Sequence, residues 1–304
     1  MAVAAEPSSD EWTVSALYTY PVKSCQGVRL HGSQLTSTGL EYDRLWMLVD
    51  ARSKRFVTQR QLPRLALVRV AINEAEQLLE LSADAMPLLQ LPLHPQPADL
   101  HDSVSVRVWY DMVEARRCGD VADAWVTQLV GRPTWMLYKD PHKPRLVSRY
   151  VPQSCKDAPQ SGFADVFPLH VTTEPSLDDV NLHVPRPLSQ QHFRPNIVLR
   201  SPRGKPYAEE EWTRVEVGPS RWSLFFTSRT PRCSMPNVDL KTGQMNEDRE
   251  PMTTMRTFRC VDPGKPSFVC FGMQAAPQTT GNFIKVGDSV IVCERGHHAL
   301  TEPL

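Results

Sequence analysis

The sequence predicts an α+β protein that is mainly β, with barrel-like sheets. Segments in which apolar and polar residues alternate, the pattern of half-buried strands, recur through both halves of the 304-residue chain. Helical periodicity is confined to two short segments. No Gly-x-Gly-x-x-Gly loop or Walker loop occurs, which argues against a doubly wound parallel sheet. Strands therefore dominate, and barrel-like sheets are the arrangement that they favour.

Strand patterns fill most of the first half. The alternation predicts one strand, then two strands around a turn at Asp50–Ser53, then a further β segment, then a strand pair that reverses near Asp111. In chain order these segments are WTVSALYTYPVKS, LWMLVDARSKRFVTQRQ, ALVRVAINEAEQLLELSA and VSVRVWYDMVEARRC.

The segment DVADAWVTQLVG predicts the first helix. Asp120 or Gly119 caps its start, and Gly131 and Pro133 end it. Its apolar residues fall on one face at helical spacing: Ala122, Trp125, Val126, Leu129 and Val130.

The second half begins with an apolar strand through Leu169 and Val171. Thr173 or Thr172 then caps a short helix that has Pro175 in its first turn. Three further segments predict strands, with a hairpin turn at Gly287–Asp288 in the last: RPNIVLRS, TRVEVGPSRWSLFFTS and NFIKVGDSVIVCE.

The chain length favours two domains, or one domain with large additions. The polar residues 1–11 are expected to be disordered, and residues 12–138 to form the first domain. Residues 139–161 are rich in proline and charge, which predicts a linker or lid segment. Residues 162–304 form the predicted second domain.

Composition and charge exclude several classes of partner. The formal net charge is zero, which argues against a broad nucleic-acid-binding face but leaves a local basic pocket open. The first residues lack the pattern of a signal peptide, and no apolar run approaches the ~20 residues that span a bilayer. The sequence therefore predicts a soluble, cytoplasmic chain without a transmembrane segment.

Cysteine usage favours free thiols in a reducing compartment. The seven cysteines are odd in number and widely spaced, and no Cys-x-x-Cys occurs. Zinc-ribbon and thioredoxin-like motifs are thereby excluded, and a disulfide framework fits poorly. The residues are Cys25, Cys118, Cys155, Cys233, Cys260, Cys270 and Cys293.

Three cations stand out at predicted strand ends beside tight turns: Lys23, Arg44 and Arg194. With the hydroxyl of Ser24, they supply the charge and the directed donors that a phosphate site needs. For each residue alone, a solvated strand-end charge is the favoured interpretation, and the sequence does not show that the three converge. His170, in an apolar strand, is expected to be a satisfied core residue.

Cys233 follows Arg232 and precedes a Ser-Met-Pro-Asn turn, so we expect it in a loop after the strand WSLFFTS. A neighbouring cation lowers the pKa of a thiol and raises its thiolate fraction. A thiolate on a loop serves as a nucleophile or as a soft metal ligand. No histidine lies near it in sequence to act as a base, and composition alone does not choose between the two roles.

Six segments, in order, resemble the MOSC-domain proteins of the amidoxime-reducing component family: YPVKSCQGV, GLEYDRLWMLVD, FVTQRQLPRLALV, FRPNIVL, PRCSMPNVD and IKVGDSVIV. The resemblance runs from about Trp12 to Cys293. Each segment alone is a weak signal, whereas six in order are specific. The resemblance implies a β-barrel-like MOSC domain preceded by a β-rich MOSC N-terminal domain.

The resemblance also implies a cofactor, molybdenum bound by a single molybdopterin (a pyranopterin dithiolene). Lys23, Ser24, Arg44 and Arg194 match the family positions that hold its terminal phosphate.

Four further residues match family positions nearer the pterin and the metal. Asn196 matches a pterin contact, and Asp165 matches a position near the pterin. Arg232 and Cys233 match an Arg-Cys pair in which the catalytic cysteine thiolate is the protein ligand to molybdenum, a role that suits a soft sulfur donor.

The implied reaction is the two-electron reduction of N-hydroxylated compounds: amidoximes, hydroxylamines and N-hydroxy bases. Electrons come from NADH through cytochrome b5 reductase and cytochrome b5, and nitrite reduction to nitric oxide is a further family activity. The alternatives are a molybdenum cofactor sulfurase-like protein, disfavoured because no pyridoxal-phosphate domain fits before Trp12, and a cofactor carrier without turnover.

Two departures from the family pattern affect what carries over. Met273 and Gln274 stand near the expected metal position, where an aromatic residue or asparagine is frequent, so the substrate range does not transfer. Animal members carry a membrane anchor that this sequence lacks, so association with the mitochondrial outer membrane is expected only if an anchor is missing from this chain.

Overall fold

The structure, a computed structural model, describes residues 11–147 and 159–300. Within these ranges strands far outnumber helices, which confirms the predicted mainly β class. Residues 1–10 of the predicted disordered N-terminus and residues 148–158 of the predicted linker or lid lie outside the described residues.

The elements are as follows in chain order. The first-half strands are β1 (Glu11–Thr19), β2 (Val28–Leu30), β3 (Gly32–Thr36), β4 (Gly39–Leu40), β5 (Trp46–Asp50), β6 (Arg69–Asn73), β7 (Leu78–Ser82), β8 (Leu89–Pro92), β9 (Ser103–Val108), β10 (Asp111–Arg117) and β11 (Thr134–Tyr138). The second-half strands are β12 (Arg145–Leu146), β13 (Gln160–Ser161), β14 (Leu169–Thr173), β15 (Ile197–Arg200), β16 (Trp212–Val217), β17 (Trp222–Pro231), β18 (Val238–Asp239), β19 (Gln244–Met245), β20 (Cys270–Pro277), β21 (Phe283–Lys285) and β22 (Ser289–Arg295). The helices are α1 (Asp120–Val130), α2 (Glu174–His183) and α3 (Met252–Met255).

The largest sheet closes on itself as a seven-stranded barrel. Its strand order is β15-β14-β20-β17-β16-β22-β1, and β1 pairs back onto β15. The pairs are antiparallel except β14 with β15. Closure removes the open sheet edges that otherwise invite pairing with other chains.

The side-chain alternation of β1 fills the barrel interior. Trp12 and Val14 are buried inward, the register shifts between Val14 and Ala16, and Leu17 is then the next inward residue. Such a bulge re-aims the strand by one residue. The Trp12 ring meets Trp212 edge-on, with centroids 4.9 Å apart. Burial of each large apolar side chain stabilises the barrel by about 1.5–3 kcal/mol.

Seven of the other first-half strands form two separate sheets that share a core. A four-stranded sheet has the order β5-β11-β10-β9, and a three-stranded sheet has the order β6-β7-β8. The apolar face of α1, including Trp125 and Val126, is buried in that core. β1 and β2 lie in the first half of the chain yet join the sheet of the second half, and β3 pairs with β21. The predicted domain boundaries stay a prediction.

Both predicted helices are confirmed. α1 follows Gly119 as N-cap and ends at Gly131, whose φ of 82° is the left-handed value that glycine tolerates. α2 has Thr173 as N-cap, with its hydroxyl accepting from the Ser176 N–H at 3.3 Å. Within the described ranges, no helix has the length and apolarity to cross a membrane.

Two local predictions are wrong. Gly287–Asp288 does form a turn, but β21 pairs with β3, whereas β22 pairs with β16 and β1. The turn instead passes the chain between two sheets and is fixed to β1 through Val14. The segment after Asp50–Ser53 forms isolated bridges at Arg55 and Phe56 in place of a second strand.

A buried carboxyl group lies at the start of α2. Glu209 is fully buried, and its carboxyl oxygens lie 2.8 Å from the Ser176 hydroxyl and 3.1 Å from the Thr173 hydroxyl. The two hydroxyls are themselves 2.7 Å apart. The Ser176 hydroxyl also lies 3.0 Å from the second carboxyl oxygen, so the three groups contact one another in every pairing. An ionised Glu209 leaves two hydroxyl protons for these three pairings, whereas a protonated carboxyl supplies a third proton. Burial raises its pKa from the ordinary 4.5 to about 7.

We predict that this group makes stability fall as pH rises. Because the folded pKa lies above the unfolded one, the stabilisation is complete below the unfolded pKa and is lost as pH rises through about 7. From about pH 5 to about pH 8, the wild type should lose on the order of 2 kcal/mol of unfolding free energy that Glu209→Gln retains. Denaturant unfolding at both pH values measures this, with the exposed Glu211→Gln as control. Equal pH dependence in all three proteins would contradict it.

Candidate functional site

One cavity of about 430 Å³ takes its wall from both halves of the chain. Every side chain that the sequence marked as a site candidate lines it, although the candidates are spread over more than two hundred positions. These residues are Lys23, Ser24, Arg44, Asp165, Arg194, Asn196, Arg232 and Cys233.

Two arginines of the cavity wall stack on one buried tyrosine. The guanidinium carbons of Arg44 and Arg194 lie 4.6 and 4.2 Å from the Tyr20 ring centroid. Arg44, Arg194 and the neighbouring Ser24 have φ values of 50°, 55° and 72°. Residues other than glycine rarely adopt this left-handed backbone conformation, because it costs about 1–2 kcal/mol per residue. Strain of this kind persists only where the surrounding contacts impose it.

Asp43 supplies much of that constraint, and sequence reasoning missed it. This buried carboxylate accepts from the Tyr20 N–H at 2.8 Å and the Asn196 amide at 3.0 Å through Oδ1, and from Arg44 at 2.5 Å through Oδ2. Arg44 also donates to Asn196 Oδ1 at 3.1 Å. The only sequence signal was the position of Asp43 directly before Arg44.

Arg194 and Arg232 keep buried donor atoms without a partner among the described residues. Nη1 of Arg194 donates to the Cys25 carbonyl at 2.6 Å, and Nη2 has no partner. Nη2 of Arg232 donates to the Phe193 carbonyl at 2.9 Å, and Nε has no partner. Burial lowers the pKa of Arg194 to about 10 and also lowers the pKa of Arg232. Each unmet buried donor costs about 1–3 kcal/mol, so an anion placed there would be stabilising.

Lys23 and Asp165 form an ion pair on the cavity wall, with Nζ and Oδ1 2.5 Å apart. Nζ also donates to the Phe163 carbonyl at 2.7 Å. Burial lowers the pKa of Lys23, and its partner only partly offsets this. The surrounding protein alone would raise the pKa of Asp165, but the Lys23 ammonium and the Trp109 indole outweigh it and hold that pKa well below its usual range. Asp165 is therefore a fixed anion at neutral pH.

The described residues of the wall carry an excess of positive charge, with six cations against two carboxylates. Arg60 and Arg145 are cations that sequence reasoning missed, and Arg145 lies in a segment without any periodic signal. Such an excess of positive charge attracts anions. The cations are Lys23, Arg44, Arg60, Arg145, Arg194 and Arg232, and the carboxylates are Asp111 and Asp165.

Cys233 presents its thiol to this cavity from the loop that follows β17, as predicted. It is the one exposed cysteine among those described, and Cys155 lies outside the described residues. Burial raises the pKa values of Cys25 and Cys270 to about 12, which makes those thiols inert.

The two residues expected near the metal separate onto opposite faces of β20. Met273 is fully buried in the barrel core and does not line the cavity. Gln274 does line it, with Oε1 accepting from the Phe167 N–H at 3.1 Å. Because successive strand residues alternate between faces, Gln274 alone of this pair can influence the cavity.

His170 is buried as predicted, and it also lines the cavity, which was not predicted. Its Nδ1 lies 3.4 Å from the Arg194 carbonyl and its Nε2 lies 3.3 Å from the Phe271 carbonyl. Burial, with Arg232 nearby, lowers its pKa to about 3, so the ring is neutral at physiological pH.

Comparison with known proteins gives two matched domains and several long relatives. Residues 11–133 match the MOSC N-terminal beta barrel domain, and residues 159–291 match the MOSC domain. Mitochondrial amidoxime-reducing component 1 of Mus musculus is 32% identical over 287 residues, covering 91% of this chain and 81% of the relative. The Homo sapiens protein of the same name is 31% identical over 288 residues, covering 91% and 82%. Molybdenum cofactor sulfurase of Oryza sativa subsp. japonica is 28% identical over 301 residues, covering 91% of this chain but 35% of that protein.

The similarity to the amidoxime-reducing components extends over most of both chains and includes both domains. The two matched domains include every residue that lines the cavity except Arg145 and Val147. The chain belongs to the amidoxime-reducing component family of MOSC-domain proteins.

Proposed function

We propose that this protein binds a molybdenum–molybdopterin cofactor and reduces N-hydroxylated compounds, amidoximes among them. One observation carries the proposal: the cavity is lined by an exposed thiol and by buried donors of Arg145, Arg194 and Arg232 that have no hydrogen-bond partner among the described residues. An anionic group with a metal end would use both features. The names of the relatives, amidoxime-reducing component and molybdenum cofactor sulfurase, support the same class of cofactor.

The residues present fit such a group. The cavity of about 430 Å³ lies within the range of roughly 300–1,000 Å³ that is usual for small-molecule sites. Nη2 of Arg194 and Nε of Arg232 are buried donors without an acceptor among the described residues. The described residues of the wall include more cations than carboxylates. A thiolate at Cys233 is the soft ligand that a sulfur-rich metal centre accepts.

We assign the terminal phosphate to Lys23, Ser24, Arg44 and Arg194, and the metal to Cys233 beside Arg232. Asp165 offers a carboxylate oxygen to N–H groups of the pterin.

Asn196 receives a different role from the one that the resemblance implied. Its amide nitrogen donates to the Tyr18 carbonyl and to Asp43, and its amide oxygen accepts from Arg44 and the His170 N–H. These four contacts fill the hydrogen-bonding capacity of the side chain. We therefore propose that Asn196 positions Arg44 and does not itself contact the pterin.

When bound, the cofactor supplies the two-electron chemistry, and the chain supplies position and charge. Lys23 and Asp165 hold opposite charges at a fixed place on the wall. The Tyr20 ring holds both guanidiniums near it despite their repulsion, since a ring face attracts cations. His170 stays neutral and keeps its ring nitrogens toward backbone carbonyls.

Electron delivery from NADH through cytochrome b5 reductase and cytochrome b5 is part of this proposal, as is nitrite reduction as a side activity. The relatives are named mitochondrial, and we propose that this chain acts in the cytoplasm or at the mitochondrial outer membrane. The similarity to a molybdenum cofactor sulfurase favours one alternative, a sulfurase-like or carrier protein that holds the cofactor without reductase turnover.

Replacement of the thiol tests the reductase. Cys233→Ala should lower benzamidoxime reduction by reduced cytochrome b5 or dithionite by more than about a hundredfold, because the metal loses its protein ligand. The control is Cys293→Ala, which removes a thiol of β22 that does not line the cavity. Full turnover in Cys233→Ala would contradict the assignment. Wild-type protein with bound molybdopterin but without turnover would favour the carrier.

Neutralisation of Asp43 tests whether this carboxylate holds Arg44 in place in the proposed phosphate site. Asp43→Asn should lower the unfolding free energy by about 3 kcal/mol, because it leaves the Arg44 cation without its buried partner. It should also lower the molybdopterin content. The control is Asp84→Asn, which breaks the exposed ion pair with Arg69 and should cost less than about 0.5 kcal/mol. Denaturant unfolding compares the two, and equal losses would contradict the role given to Asp43.

A further inference from the structure

We propose that the tip of the β9–β10 hairpin, Trp109 to Asp111, is a positioning element that fixes Asp165 for ligand binding. The hairpin belongs to the first-half sheets, and Asp165 belongs to the loop before β14. The inference rests on the proposed function for the identity of the ligand, whereas the contact between hairpin and loop stands on its own. Neither the resemblance nor the sequence patterns pointed to Trp109.

Trp109 reaches the carboxylate directly. Its indole N–H donates to Asp165 Oδ1 at 2.9 Å. The side chain is otherwise poorly buried, at 41% exposed, and its backbone is left-handed, with φ of 55°. A bulky residue in that conformation marks a strained turn whose neighbours hold it in place. The Phe56 ring packs edge-on at 5.7 Å, and the Arg60 guanidinium lies 4.8 Å from the indole ring.

A second contact fixes the backbone of the same loop. Asp111 forms an ion pair with Arg145, with Oδ2 and Nη1 3.1 Å apart. The buried Arg145 donates through Nη2 to the carbonyls of Ala164 at 2.7 Å and Asp165 at 3.2 Å. The hairpin tip therefore holds the loop twice, at the side chain and, through Arg145, at the main chain.

The consequence is an oriented carboxylate. Lys23 and Trp109 both donate to Oδ1 of Asp165, at 2.5 and 2.9 Å. Among the described residues, no donor contacts Oδ2, and the side chain is 61% exposed on the cavity wall. One oxygen is thereby committed to the protein and the other is presented to the ligand. A free carboxylate oxygen in a cationic cavity recognises an N–H donor of a planar heterocycle, the hydrogen-bonding edge of a pterin.

Trp109 acts through Asp165 and is a positioning residue. Without the indole, Lys23 alone holds the carboxylate, and a single strong donor does not fix the rotation of the carboxyl group. Loss of a hydrogen bond to a charged group then weakens ligand retention by roughly tenfold.

The test is a double-mutant cycle with two readouts. Trp109→Phe keeps the ring and removes the indole N–H, and Asp165→Asn keeps the shape and removes the charge. The first readout is the indole N–H resonance of Trp109 in cofactor-free protein, assigned by its loss in Trp109→Phe. We expect Asp165→Asn to shift this resonance and to speed its exchange with water. The matched control, Met112→Ala, lies in the same hairpin and does not line the cavity, so it should leave the resonance unchanged.

The second readout is molybdopterin retained per chain after gel filtration. Trp109→Phe should retain roughly tenfold less than the wild type, and Asp111→Asn should also retain less. Trp109→Phe should add nothing in the Asp165→Asn background. A full further loss in that background, or a resonance that Asp165→Asn does not move, would overturn the inference. A wild type that holds no molybdopterin would instead overturn the proposed function, and the resonance would still decide whether the hairpin binds Asp165.

Discussion

The order of this site depends on the buried carboxylate of Asp43. It gathers groups from three separate parts of the chain: the Tyr20 N–H after β1, the Arg44 guanidinium, and the Asn196 amide before β15. Pairing of β1 with β15 brings these parts together, since Leu17 lies opposite Ile197 and the Tyr18 N–H donates to the Asn196 carbonyl. The cationic wall of the cavity therefore depends on the pairing of these two strands, which closes the barrel.

The site retains several features that destabilise the folded chain. Arg44 and Arg194 repel each other beside the Tyr20 ring, and their backbones and that of Ser24 are left-handed. Donors of Arg194 and Arg232 have no partner among the described residues. A bound anion would pair the free donors and offset the repulsion between the arginines, whereas the surrounding contacts hold the left-handed backbones in place. The two arginines differ in whether a carboxylate of the protein compensates their charge. Asp43 neutralises Arg44, whereas no described carboxylate forms an ion pair with Arg194.

Local patterns in the sequence predicted the elements better than their pairing. α1 and α2 were both predicted with their capping residues. The signals for a helix, apolar spacing and capping residues, lie within about a dozen consecutive positions of the sequence. Gly287 looked like a hairpin turn, but a glycine turn forms equally well where the chain changes sheets, and only the partners of β21 and β22 tell the two apart. Lys23, Ser24, Arg44, Arg194 and Cys233 stood out from local sequence features, whereas Asp165, Asn196 and the roles of all the site residues came from the family resemblance. Asp43 and Arg145 were missed, since their roles consist of contacts with residues distant in sequence.

The roles that remained open for Cys233 can now be compared in physical terms. A cysteine nucleophile needs a base that takes its proton or a cation that stabilises its thiolate. Among the described lining residues His170 is the one histidine, its ring nitrogens face backbone carbonyls, and its pKa near 3 makes it a poor base. The neighbouring Arg232 has a buried Nε without an acceptor among the described residues. If Cys233 were a nucleophile, Arg44 and Arg194 would have no role in the reaction. If Cys233 were the metal ligand of an anionic cofactor, its thiolate would bind the metal and the two arginines would bind the phosphate of the same molecule.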